Sequence, residues 1–180
     1  MASLVRRHWK AAALGPLAVV AVVAAAAGAL AAGLPGVTGA GGGAVTAVRI
    51  VRNTTSQSTS STSYANLPGA TLLITAPRGQ RALILARFSA ESRCTGGSSG
   101  DPCTVRILVD GVEAGPASGT DFAFDSSEGM VIDDLAESHS MDRSMAVGTG
   151  KHRVTVQWAV GGTPTFTLDD WSLTVERVVR

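Results

Sequence analysis

Between Gly150 and Val160, polar and apolar residues alternate. Val154, Val156, Trp158 and Val160 share one parity, and Arg153, Thr155 and Gln157 share the other. That is the period of a half-buried strand. After Gly161-Gly162-Thr163-Pro164 the alternation resumes, but its phase changes. Phe166 and Leu168 have one parity, and Trp171, Leu173 and Val175 have the opposite one. The slip falls at Asp169-Asp170. One extra residue in a strand is a β-bulge, which lets both halves face the same core. The pattern predicts two strands joined by a turn as a closing hairpin.

The same reading extends back through the chain. Ala44 to Arg52 is rich in β-branched residues and predicts a first strand. Asn53 to Ser63 is nearly all Ser and Thr, a solvated loop or exposed edge strand. Tyr64 to Gly69 is turn chemistry. Ala70–Ala76 and Gln80–Ala90 predict two strands paired as a hairpin across Pro77-Arg78-Gly79. Leu83 and Leu85 give the second strand apolar residues on both faces, as in a central strand. Thr104 to Asp110 places Val105, Ile107 and Val109 on one face and ends at Asp110-Gly111, a strong hairpin-turn dipeptide. Phe122 to Phe124 predicts a short strand. Ser126 to Met141 is polar and irregular, with a turn or two of helix over Val131 to Ser138. The sheet resumes at Ser144. About eight to ten short strands separated by turns predict an all-β antiparallel jelly-roll sandwich, residues 44–180.

The N-terminal third differs. Arg6, Arg7 and Lys10 precede an uncharged run whose apolar part, residues 11–34, is rich in Ala and Gly. Residues 1–34 read as a hydrophobic helix that is either a cleaved secretory signal or a membrane anchor. The weak hydrophobicity and the small residues Ala29-Leu30-Ala31 favour the signal. Both readings leave the basic end in the cytoplasm and the body outside, secreted or held at the cell surface. Membrane contact is then expected only through residues 11–34, if they are retained. Arg6-Arg7 also resembles a twin-arginine export signal, without the usual apolar residue before the Lys. Pro35 to Gly43 is a glycine-rich linker.

Composition narrows the function classes. The chain has 15 Lys plus Arg against 14 Asp plus Glu, a net charge of +1. From Ala32 onward there are 11 Arg and 1 Lys against those 14 acids, so the body carries −2. Nothing in the sequence gathers its cations, which argues against nucleic-acid binding. Arg outnumbers Lys 13 to 2, a bias typical of GC-rich bacterial genomes. Cys94 and Cys103 are the only cysteines. With a polar loop between them and an exported body, a disulfide is expected.

Candidate chemistry is sparse. Asp133, Asp134, Glu137, His139 and Asp142 form the densest polar cluster. Their spacing matches no calcium loop, and a solvated acidic loop is the expectation. Ser138-His139-Ser140 with Asp142 has the residue types of a nucleophilic triad but no strained nucleophile turn. No enzyme activity, metal or cofactor is expected. Asp169 and Asp170 at the bulge, and Tyr64 on a loop, are the candidate ligand contacts. His152, in phase with Val154, reads as a structural histidine at the core edge. Trp158 and Trp171 read as core aromatics.

Two resemblances rest on these residues. Leu72 to Ala90, the Cys94–Cys103 loop, the strand into Asp110-Gly111 and the ending Gly150-x-His152-x-Val154-x-Val156-x-Trp158 resemble a group of exported actinobacterial proteins. More distantly they resemble jelly rolls of the tumour-necrosis-factor and complement-globular-head type. That likeness implies homotrimers and binding to a receptor or surface protein. Gly150 to Val154, followed by Phe166-x-Leu168-Asp169-x-Trp171-x-Leu173, is similar to the ending of some carbohydrate-binding modules, which implies a glycan ligand stacked on loop aromatics. The sequence therefore predicts a non-enzymatic exported interaction module. Its partner would be a cell-surface protein or, alternatively, a glycan.

Overall fold

A computed structural model describes residues 43–118, 122–129 and 135–179. Residues 1–34, expected to be a signal or anchor, and nearly all of the expected linker lie outside the described residues, as do Asp133 and Asp134. Residues from Gly42 onward form one compact unit. The strands are β1 (Ala44–Asn53), β2 (Gln57–Thr59), β3 (Ala65–Ala76), β4 (Ala82–Thr95), β5 (Pro102–Val109), β6 (Val112–Glu113), β7 (Asp125–Ser126), β8 (Glu137–Val147), β9 (Gly150–Val160) and β10 (Thr165–Val179).

Two antiparallel sheets pack face to face as a β-sandwich. The first has the order β1-β10-β4-β8, with β2 also on β10. The second has the order β3-β9-β5-β6, with β7 on β5. Four of the pairings are nested in sequence: β1 with β10, β3 with β9, β4 with β8, and β5 with β6. The chain is thus doubled on itself about Asp110-Gly111 and rolled so that β10 meets β4 and β9 meets β5. Asp110 and Gly111 both have positive φ, 53° and 83°, as the turn that matches strand twist requires.

This topology corrects two expected hairpins. β3 and β4 are consecutive but lie in different sheets, and so do β9 and β10. Alternation reports which residues face the core, and it is the same whether a strand turns back beside its neighbour or crosses to the facing sheet. Three local expectations also change. Leu67-Pro68-Gly69 is a bulge within β3 rather than a turn before it, with the register shifting between Asn66 and Thr71. The strand near Phe122–Phe124 sits instead at Asp125–Ser126. β8 begins at Glu137, so the irregular stretch ends earlier than expected and the end of the expected helix is extended strand. Residues 131–134 of that helix lie outside the described residues. The serine/threonine-rich segment contributes β2 as an edge strand.

The bulge in β10 is where the phase slip placed it. Asp169 pairs with Glu91 and Ser172 with Ser89, so β10 carries one extra residue there. Phe166, Leu168, Trp171, Leu173 and Val175 are all buried as a result. The core between the sheets is aromatic at its centre. Phe88 contacts Phe124 and Trp171 at 5.7 and 6.1 Å between ring centres, and Phe166 lies 5.9 Å from Trp158. Gly69 lies over the Trp171 ring, where a Cβ would make ordinary contact at 3.7 Å, and its φ of 83° is what favours glycine. Trp171 Nε1–H donates to Gln57 Oε1 at 3.3 Å, which ties β2 to the core. Cys94 and Cys103 form a disulfide, with Cα atoms 5.9 Å apart, linking β4 of one sheet to β5 of the other.

The sandwich has two distinct poles. At one, Ala44, Val179, Ala82 and Val147 line up across the first sheet, and Ala76 pairs with Gly150 in the second. The chain therefore enters and leaves at this pole, beside the β3–β4, β5–β6 and β8–β9 turns. The other pole carries the disulfide loop, β7 and the start of β8.

Candidate functional site

At the disulfide pole, a cavity of about 320 Å³ is lined by Arg93, Phe124, Asp125, Glu128, Glu137 and His139, among others. Asp125 and His139 on its wall meet Ser92 behind it, where β4, β7 and β8 come together. Ser92 Oγ lies 2.8 Å from Asp125 Oδ2 and 2.7 Å from His139 Nδ1. An ionised carboxylate only accepts, so the Ser92 hydroxyl gives its single proton to Asp125 and accepts from His139 Nδ1–H. That is the reverse of the arrangement that activates a serine, in which the hydroxyl donates to the imidazole. Ser92 is also 1% exposed. The cluster fixes the tautomer and plane of His139, whose ring packs edge-on against Phe124 at 5.7 Å. His139 Nε2 lies 3.5 Å from Glu137 Oε2.

The serines singled out in the sequence lie elsewhere. Ser138 and Ser140 are exposed on the outer parity of β8, while His139 points inward. Asp142 is also outward and pairs with Arg87 Nε at 2.8 Å. The part of the acidic cluster that is described is therefore split between two faces of one strand. Among the described residues, no three His, Cys, Asp or Glu side chains converge as a metal site. Ser92 and Asp125 were missed in the sequence. One sign was present: Ser92 interrupts the core parity Ala82, Ile84, Ala86, Phe88, Ala90 and Cys94.

The candidate ligand contacts sit apart from that cavity. Tyr64 lies on the outer face of the second sheet under Arg106, whose guanidinium carbon is 3.9 Å from the ring centre. Arg106 donates from Nε and Nη2 to Gln157 Oε1, and Gln157 Nε2 donates to Asn66 Oδ1. One face of the tyrosine ring is therefore occupied. At the bulge, Asp169 Oδ1 accepts the Asp170 N–H at 2.8 Å, and Asp170 is exposed with φ of 43°. Asp169 and Glu91 border a small cavity of about 110 Å³.

His152 is held at the opposite pole. Its Nδ1 lies 2.7 Å from Asp110 Oδ2 and its Nε2 lies 2.9 Å from the Gly148 carbonyl. Burial alone would lower its pKa. The hydrogen bonds to Asp110 and Gly148 and the carboxylate charge outweigh burial and hold it above the ordinary histidine value. The same bond, with the Arg153 N–H on Oδ1 at 2.8 Å, holds Asp110 below the ordinary aspartate value. Arg143 is a buried cation: Nη2 donates to Ser118 Oγ, Nη1 to the Asp142 carbonyl, and the Phe122 ring lies 4.9 Å away.

The outer face of the first sheet is apolar near the entry pole. Val45, Val178, Leu83 and Ala146 lie side by side across its four strands. Val48 and Ile50 continue that surface along β1 and Leu85 along β4, with Glu176 between Val48 and Leu85. Val45, Val48 and Ile50 are 53%, 48% and 48% exposed.

No protein-family model matches the chain, and no curated protein matches it. Among solved structures, dimeric latent PorU from Porphyromonas gingivalis matches with a TM-score of 0.41 and 12% identity. The match covers 77% of this chain and 14% of the PorU chain. A likeness that loose bears on neither function nor partners.

Proposed function

We propose that the protein is a non-enzymatic, extracytoplasmic interaction module of jelly-roll type. It would be exported by its N-terminal segment and act by protein contact through the outer face of the β1-β10-β4-β8 sheet. The observation that carries this reading is the apolar row Val45–Val178–Leu83–Ala146 with Val48, Ile50 and Leu85 beside it. Contiguous exposed apolar surface on a sheet marks a contact face, because leaving it in water is unfavourable. The disulfide supports an oxidising compartment. The nested pairing and the strand orders of the two sheets support jelly-roll topology. The glycan alternative is less well supported: Trp158, Trp171 and Phe166 are buried, and Tyr64 is covered by Arg106. The partner proposed for this face is a second copy of the chain, because most soluble oligomers are homo-oligomers closed by symmetry.

The test is the molar mass of residues 42–180 by light scattering on a sizing column, beside Val48→Asp/Ile50→Lys. A trimer or dimer that the double variant dissociates supports the reading. A monomer over a wide concentration range overturns self-association and moves glycan screening to the front.

A further inference from the structure

The charge on the sandwich is sorted between its poles. At the entry pole, Arg78 and Arg81 lie exposed in the β3–β4 turn, Lys151 and Arg153 are exposed at the start of β9, and Arg177 is near the end of β10. None of them pairs with a carboxylate of the described residues. Asp110 is the carboxylate in these turns, and it is taken by His152 and the Arg153 N–H. The opposite pole carries Glu91, Asp125, Glu128, Glu137, Asp169 and Asp170. Glu176 stands beside Arg177 at the first pole and Arg93 lines the cavity at the second, so each end carries a majority of one sign.

Side-chain and turn contacts hold the basic end together. Arg177 Nε donates to Thr46 Oγ1 at 2.9 Å, and its Nη1 donates to the Thr75 carbonyl. Thr149 Oγ1 donates to the Pro77 carbonyl at 3.2 Å. These bonds join the β1 entry, the β3–β4 turn, the β8–β9 turn and the β10 exit into one surface. Beside the cations stand isolated apolar side chains: Val112 at the β5–β6 tip, 62% exposed, and Leu73 opposite Arg153, 54% exposed.

We propose that this pole docks on an anionic lipid surface. Three observations point to lipid rather than to a soluble polyanion. Cations without a carboxylate partner gather on several turns at one end of the sandwich, which suits a planar negative surface. Exposed apolar residues are interleaved with them, which suits shallow insertion at the headgroup boundary. The chain enters the sandwich at this same pole, at Ala44, after the uncharged residues 11–34 and the glycine-rich linker. Whether or not residues 11–34 are removed, the body then contacts the membrane through its own cations. This extends membrane contact beyond the hydrophobic segment, and the lipid surface adjoins the apolar face of the first sheet where Arg81 meets Leu83 and Ala146.

The experiment is co-sedimentation of residues 42–180, which contain every strand of the fold, with vesicles of phosphatidylglycerol and phosphatidylcholine. Pure phosphatidylcholine vesicles serve for comparison. The cationic pole predicts binding to the anionic vesicles at low salt that is at least tenfold above phosphatidylcholine and is lost at high salt. Each cation near an anionic surface contributes about fivefold. Arg78→Glu/Arg81→Glu/Lys151→Glu, all at exposed sites without side-chain partners, therefore lowers binding to the level seen with phosphatidylcholine. Arg49→Glu/Arg52→Glu on β1 leaves most of it. A thermal melt establishes that each variant is folded. Equal binding to both vesicle types, salt-insensitive binding, unchanged binding by the triple variant, or binding to soluble polyphosphate without binding to vesicles would each overturn the proposal. The oligomeric state is measured without lipid, so failure here leaves the self-association result standing.

Discussion

His152 and Asp110 form a clamp in which both imidazole nitrogens face acceptors: the Asp110 carboxylate at 2.7 Å and the Gly148 carbonyl at 2.9 Å. Only the doubly protonated ring satisfies both. The clamp joins the β5–β6 turn, about which the chain is doubled, to the β8–β9 turn.

The clamp makes stability pH-dependent in a stated direction. The His152 pKa is raised by folding, so its contribution is complete below about 6.5 and is lost as pH rises through the raised value. The Asp110 pKa is lowered, so its contribution is present above about 3.9 and is lost as pH falls through the lowered value. The melting temperature therefore peaks in weak acid and declines as pH rises through the raised His152 value. In His152→Gln the alkaline decline flattens. Thermal melts of both proteins across that range check it, and an unchanged slope in the variant would remove the clamp as its cause.

Deleting Asp170 removes the extra residue that rephases β10. Trp171, Leu173 and Val175 would then face water, and the body is expected not to fold. Substitution separates the residue's conformation from its count. Asp170→Gly relieves the positive φ and is neutral or slightly stabilising, whereas Asp170→Val costs about 1–2 kcal/mol. Urea midpoints of the two substitutions distinguish these outcomes.

Reducing the disulfide, or replacing it by Cys94→Ser/Cys103→Ser, frees a short loop between the two sheets. The chain-entropy cost is about 2–3 kcal/mol. The body remains folded at room temperature with a lower urea midpoint. Equal midpoints with and without reductant would show that the cross-link adds nothing.

Trp158 and Trp171 are the tryptophans of the body, and both are buried. The fluorescence of residues 42–180 is therefore expected to be blue-shifted, weakly quenched by acrylamide and unchanged by soluble glycans. Glycan-dependent quenching would place a sugar against one of them and favour the carbohydrate-binding reading.

The sequence carried the sandwich more clearly than its connectivity. The β10 bulge was legible because Phe166 and Leu168 on one side and Trp171, Leu173 and Val175 on the other are apolar at opposite parity. The Asp110-Gly111 turn was legible because two residues of positive φ leave few side-chain choices. Sheet assignment was not legible: the parity of Val154 and Trp158 is the same whether β9 pairs with β10 or faces it across the core. The Ser92–His139–Asp125 cluster and the basic pole share that difficulty. Their members are scattered along the sequence, and only the pairing of strands distant in the chain brings them together.

β10 lies between β1 and β2 on one side and β4 on the other, yet it is made last. A ribosome releases residues from the N-terminus, so β1, β2 and β4 emerge well before the strand that joins them. Until Val179 is free, the first sheet lacks its interior member, and the edges of β1 and β4 that pair with β10 are open. The sandwich therefore closes only after β10 has been made, and a nascent chain stalled one strand short is exposed to chaperones and proteases.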